Sequence, residues 1–176
     1  LWCYPRNSAW ETKDADYNSS ADITAQANRL GVTIEADIIK QKMPTIDGAF
    51  RHFKFAKYSD QMYETLSTEN PIDMLRLQVI NCYAGKIPLL NSGGESATEA
   101  DFTKDLKAAV RSAVINKRAG GAGLILGRKA FKRPMEDIVK LYRQKTGTEV
   151  NVNYGGVGTL FSQILLSKRG DVFVVP

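Results

Sequence analysis

The stretch Ala36-Asp37-Ile38-Ile39-Lys40-Gln41-Lys42 decides how the rest of the chain is read. It reads as an apolar strand that carries an ammonium group to its C-terminal end. Lysine is almost never buried without a reason. Desolvation disfavours its charged form and can leave a free amine able to attack a carbonyl. Lys40 is therefore either the amine of a Schiff-base site or a surface lysine whose stem snorkels to water.

Outward from that strand, short apolar runs alternate with helical patterns, which predicts β-α repeats and a parallel sheet. Residues 1–4 read as a strand and 5–18 as a polar connection. Ser20 is the expected N-cap of a helix with Ile23, Ala27 and Leu30 on its apolar side. Residues 43–69 read as a long functional loop with one short helix at 60–66. Asn70-Pro71 starts a helix that Gly85 ends, and 87–90 follow as the third strand. Thr98-Glu99-Ala100-Asp101 opens a helix reaching residue 118, Gly120-Gly121 closes it, and 123–126 form the fourth strand. Pro134 opens another helix, and a β-α-β unit spans 149–153, 159–167 and 171–175.

The composition narrows the function classes. With 176 residues, 43% hydrophobic and 24% charged, the chain reads as globular. A formal charge of +5 and a pI near 9.2 favour anionic ligands. The cations are dispersed rather than striped, so no nucleic acid is expected as a partner. No run is long enough to span a membrane, so no membrane role is expected either. Cys3 and Cys82 have no metal-ligand spacing and read as buried free thiols. The lone histidine, His52, reads as a solvated loop residue; without a second histidine or a nucleophile elbow, metal hydrolysis and Ser-His-Asp chemistry are disfavoured. No metal or cofactor is expected. The chain opens at Leu1 in one strand-like run and stops after another at Val174-Val175-Pro176, so a fragment is expected.

Ends of parallel strands are where α/β proteins place their sites. Four such ends carry suggestive residues: Trp2 and Tyr4, Lys40 and Lys42, Ser92-Gly93-Gly94, and Gly127-Arg128. Each glycine pair is either a tight β-α turn or a cradle of N–H groups for an anion. Arg128 would add a fork-shaped phosphate donor. An amine, a phenol and such a cradle form a coherent set for carbonyl chemistry on a phosphorylated substrate.

These segments carry a resemblance. Trp2-Cys3-Tyr4-Pro5-Arg6-Asn7-Ser8-Ala9, the Lys40 strand, Asn91-Ser92-Gly93-Gly94-Glu95, residues 113–121 and Leu126-Gly127-Arg128-Lys129-Ala130-Phe131 resemble the C-terminal half of a bacterial class I fructose-bisphosphate aldolase. The resemblance covers residues 1–134. It implies α/β architecture: a partial (β/α)8 barrel, strands five to eight with their helices, followed by the extra β-α-β unit. It implies that Lys40 is the Schiff-base lysine, with Lys42 the fallback, that Tyr4 transfers protons and that Trp2 is their neighbour. Ser92, Gly93, Gly94, Gly127 and Arg128 would hold substrate phosphate. The reaction implied is metal-free cleavage of fructose 1,6-bisphosphate to dihydroxyacetone phosphate and glyceraldehyde 3-phosphate, in the cytoplasm. Strands one to four, with a further acidic residue, are not in this chain, so a second copy or a complementing half-barrel is the expected partner besides the sugar phosphate. Glu35 stands where many relatives end a helix with glycine.

Residues 135–176 are similar to something else. Asn151-Val152-Asn153-Tyr154-Gly155-Gly156-Val157-Gly158-Thr159-Leu160 and Gly170-Asp171-Val172-Phe173 resemble the start of a molybdate-type periplasmic solute-binding protein. There the glycine loop binds an oxyanion with the help of a serine, which Val157 replaces here. Alternative expectations are thus a non-enzymatic oxyanion-binding module, or a chimeric or truncated chain without activity.

Overall fold

The computed structural model divides into two units, Leu1–Lys132 and Arg133–Pro176. It describes residues 1–54, 58–94 and 102–126, and single positions at 134, 136, 139, 143 and 147. The expected β-α-β unit at 149–175, the capping sequence at 98–101, and Gly127 and Arg128 lie outside the described residues.

The order of elements is α1 (Ala21–Thr33), β1 (Ile39–Lys42), α2 (Ala49–Phe53), α3 (Pro71–Ile80), β2 (Leu89–Ser92), α4 (Phe102–Ala119) and β3 (Gly123–Ile125). The three strands form one parallel sheet in the order β1-β2-β3, with Lys40 opposite Leu90 and Leu90 opposite Gly123. The N-terminal segment adds to the free edge of β1 through a parallel bridge between Trp2 and Lys40. Lys40 N–H donates to the Leu1 carbonyl at 2.8 Å, and Cys3 N–H donates to the Lys40 carbonyl at 2.9 Å. The architecture is α/β, built on a small parallel sheet.

Side chains alternate across a strand, so each strand has a helix-facing set and an opposite set. Ile39 and Leu89 lie under the helices and pack with Cys3, Val32, Leu75, Val79, Cys82 and Ala119 in the main core. Gly31 lets α1 lie close on this layer: a Cβ there would stand 2.5 Å from Cys3 Sγ and 2.8 Å from Ile39 Cδ1. Trp2, Tyr4, Lys40, Lys42, Leu90 and Ser92 belong to the opposite set by register.

The strand expected at residues 1–4 is reduced to the single bridge at Trp2, and the three other strands differ from expectation in their boundaries. The second strand starts at Ile39 rather than 36, because residues 34–36 are used to close α1, so Lys40 is the second residue of the strand and not at its C-terminal end. Glu35 takes a left-handed conformation at φ 63°, and Ala36 N–H returns to the Gly31 carbonyl. The third strand is Leu89–Ser92 rather than 87–90, since α3 ends in a wide turn with Tyr83, Ala84 and Gly85 all at positive φ. The fourth stops at Ile125, one residue early.

The 43–69 connection is more organised than its sequence suggests. It contains a π-helical turn at Met62–Leu66 where a helix was expected, and also α2, which was not. Its hub is a pair of carboxylates. Buried Asp22 accepts from Ser20 Oγ, Tyr63 Oη and the N–H groups of Ile23 and Phe50. Asp47 accepts from the N–H groups of Asp22 and Gly48 and from Ser67 Oγ. Ser20 occupies the N-cap position of α1, but its side chain makes no capping hydrogen bond to that helix. Asp47, from 25 residues away, takes that role.

Candidate active site

The sheet brings four of the sequence-predicted residues together on the face opposite α1, α3 and α4. Trp2 and Tyr4, two apart on the N-terminal segment, stack with ring centroids 6.0 Å apart. Lys40 lies on the adjacent strand, and its Nζ sits 3.7 Å from the Trp2 ring centroid and 5.9 Å from that of Tyr4. Tyr4 then reaches past β1 to β2, where its hydroxyl meets Ser92 Oγ at 2.5 Å. Lys42, on the same face two residues on, has Nζ 3.9 Å from Asp16 Oδ2. Among the described residues Lys40 forms no ion pair, so the two lysines sit in different company: one on aromatic faces, the other near a carboxylate.

The glycines after β2 are also displaced from expectation. Ser92 ends the strand itself rather than following it. Gly93 gives its N–H to the Ile125 carbonyl at 2.8 Å. A Cβ on Gly93 would fall 2.5 Å from Leu126 Cδ2 and 3.1 Å from the Ile125 carbonyl oxygen, so close strand packing explains this glycine. Gly94 follows at φ 74°, the left-handed conformation glycine adopts without cost.

His52 lies on α2 rather than in a loop, exposed, with its ring stacked on Tyr17 and Nδ1 3.2 Å from the Tyr17 hydroxyl. Cys3 and Cys82 are free and buried. Burial raises both thiol pKa values, that of Cys82 to about 12. Burial is also the main force raising the Asp47 carboxyl, with the charge of Asp22 adding to it, against hydrogen bonds from Ser67, Gly48 and Asp22 that act the other way. A cleft of about 520 Å³ beside Asp47, Arg51 and Glu69 belongs to the 43–69 connection. Among the described residues, no group of three or more His, Cys, Asp and Glu side chains could hold a metal ion. No helix there is long and apolar enough to cross a membrane.

Sequence reasoning missed the residues behind the sheet. Gln41 and Asn91 occupy helix-facing positions where strand alternation predicts apolar side chains, and both are fully buried. They join Asn28, Gln78 and Asn116 in a chain of buried amides linking α1, β1, α3, β2 and α4. An amide at an apolar parity position was the available signal.

Comparison with known proteins gives matches to two different families along the chain. Residues 1–133 match the family described as DeoC/LacD family aldolase. Proteins of Chlamydia pneumoniae and Chlamydia trachomatis serovar D, each named "Probable fructose-bisphosphate aldolase class 1", are 52% identical over 141 residues. Those matches cover 80% of this chain and 39% of each relative, so the chain spans well under half their length. Residues 123–176 match a bacterial extracellular solute-binding protein family. A protein of Haemophilus influenzae, named "Putative binding protein", is 41% identical over 54 residues, which cover 31% of this chain and 19% of that protein. No solved structure matches the chain.

Proposed function

Since the chain belongs through residues 1–133 to the DeoC/LacD family of aldolases, we propose that it carries the lysine-bearing half of a metal-free Schiff-base aldolase acting on fructose 1,6-bisphosphate. Within this reading its strands are the fifth to eighth of a (β/α)8 barrel, and the remaining units come from another segment or from a partner chain. The compartment would be the cytoplasm. The observation that carries the reading is the shared face of Lys40, Trp2, Tyr4 and Ser92.

The chemistry follows from those groups. The neutral amine of Lys40 attacks C2 of the open-chain ketone, and loss of water gives a protonated imine. The indole face of Trp2 that accepts an ammonium also accepts this cation. The C3–C4 bonding electrons pass into the imine as the C4 hydroxyl gives up its proton, and glyceraldehyde 3-phosphate leaves. The remaining enamine is protonated at C3, and water restores the amine with release of dihydroxyacetone phosphate. Tyr4, its hydroxyl on Ser92, carries the proton. The phosphates are assigned to Ser92, Gly93, Gly94, Gly127 and Arg128. The Gly93 N–H is already used within the sheet, so Gly94, Gly127 and Arg128 carry most of that role.

Borohydride trapping with dihydroxyacetone phosphate tests the proposal. The expected result is a mass adduct on Lys40 that survives Lys42→Met and is lost in Lys40→Met. An adduct that moves with Lys42 instead would reassign the nucleophile. No adduct on either lysine would sink the reading.

The match of residues 123–176 to solute-binding proteins favours a second reading, an oxyanion-binding module in the tail. Molybdate or sulfate binding that survives Lys40→Met but is lost when the 155–158 glycine loop is replaced would favour it.

A further inference from the structure

The backbone ladder between the N-terminal segment and β1 breaks where the site begins. Lys40 uses its N–H and carbonyl on Leu1 and Cys3. A parallel ladder continued by one step would send the Lys42 N–H to the Cys3 carbonyl and the N–H of residue 5 to the Lys42 carbonyl. Residue 5 is proline and has no N–H. The Cys3 carbonyl accepts instead from Gln41 Nε2, and the Lys42 N–H donates to Gln41 Oε1 at 2.9 Å. The carboxamide of Gln41 is thus spliced between two segments that would otherwise bond directly.

Other amides hold this splice from behind. The Lys42 carbonyl accepts from Gln78 Nε2 at 3.1 Å and from Asn91 Nδ2 at 3.2 Å, taking the place of the missing proline donor. Gln41 Nε2 also donates to Asn28 Oδ1 at 2.9 Å, Asn91 Nδ2 to Gln78 Oε1 at 3.0 Å, and Gln78 Nε2 to Thr24 Oγ1 at 2.7 Å. Gln41, Asn28, Thr24, Gln78 and Asn91 are all fully buried. Burying so many amides is costly unless each is paired, and an apolar side chain at position 41 would fill the space without that cost. Packing alone therefore does not explain Gln41. Its sequence neighbours do: Gln41 lies between Lys40 and Lys42, the Cys3 it touches lies between Trp2 and Tyr4, and the Asn91 behind it precedes Ser92.

We propose that Gln41 is a positioning residue, whose carboxamide, held by Asn28 while Gln78 and Asn91 hold the Lys42 carbonyl, wedges the Tyr4 segment away from Lys42. Tyr4 is thereby directed onto Ser92, with its ring beside Lys40. The catalytic consequence rests on the aldolase reading; the wedge itself does not.

The test compares the full chain with Gln41→Met, which keeps length and volume but has no hydrogen bonds to give. Gln78→Met is a second variant that leaves β1 intact, and Leu77→Ala is a control that weakens a different core cluster. The first readout is the 19F signal of 3-fluorotyrosine at position 4, assigned through Tyr4→Phe and calibrated by Ser92→Ala. It should move toward the Ser92→Ala position in both methionine variants and stay in place in Leu77→Ala. The second is trapping of dihydroxyacetone phosphate at Lys40, which should fall about tenfold or more, as misplacement of reacting groups does. Formaldehyde-driven reductive methylation of the same lysine, which needs no such geometry, should stay unchanged. A Tyr4 signal unmoved in folded Gln41→Met or Gln78→Met, or a moved signal with full trapping, would overturn the proposal. A wild-type chain that traps nothing would remove the aldolase reading, and the Tyr4 signal would still decide the wedge.

Discussion

Lys40 and Lys42 leave one strand on one face, and their neighbours separate them: Trp2 and Tyr4 rings at one, Asp16 at the other. Three other residues make predictions that do not depend on any activity. Glu35 is exposed and held at φ 63°, where an L-residue is strained. Glu35→Gly should stabilise the chain by about 1 kcal/mol, read as a higher urea midpoint at unchanged slope. Cys82, whose thiol burial pushes up to about 12, should not react with a disulfide reagent at pH 8 until the chain is unfolded. Asp47 has a folded-state pKa above its ordinary 3.8. The folded chain therefore binds that proton more tightly than the unfolded one, and this residue's contribution to stability falls as pH rises through the interval above 3.8. Asp47→Asn should flatten the slope of urea midpoint against pH in that interval, and an unchanged slope would contradict the assignment.

At the level of elements, two helix starts that look alike in sequence are made differently. Asn70 caps α3 with its own side chain, whose Oδ1 accepts from Ile72 N–H at 2.9 Å, and Pro71 fills the first helical position. Asn70→Ala should cost about 1 kcal/mol in thermal or urea unfolding. Ser20 reads equally well as a cap, yet its hydroxyl goes to Asp22 and the helix amide to Asp47. Ser20→Ala should therefore act through the Asp22 hub. The order of strands and helices was legible because apolar periodicity and local caps encode it. Strand starts at Ile39 and Leu89 were not, because the turns that close α1 and α3 use residues in left-handed conformations that local propensity does not mark. The helix α2 was missed for a related reason: the Phe50 and Ala49 N–H groups find acceptors on Asp22 and Ser20, far away in sequence.

For the molecule as a whole, the face of the sheet opposite α1, α3 and α4 carries exposed apolar surface. Trp2 is 68% exposed and Leu1 54%, although they flank the backbone bridge to Lys40. An open sheet edge next to exposed aromatic surface favours association. The chain alone should sediment above 19.5 kDa in a concentration-dependent way. Adding a polypeptide with the missing β-α units should increase trapping at Lys40; a monodisperse monomer, unaffected by that addition, would contradict the half-barrel reading.

Sequence by itself determined the alternation of helix and strand through residue 125, the burial of both cysteines and the change of family along the chain. All of these follow from composition, periodicity or motifs within a few residues. Only the tertiary structure decided which side of the sheet each residue faces, that Tyr4 bonds to Ser92 across β1, that Asp16 lies near Lys42, and that Gln41 stands in for a backbone bond. Those depend on strand register and on partners tens of residues apart, and a shift of one residue would turn every side chain of a strand to the other face.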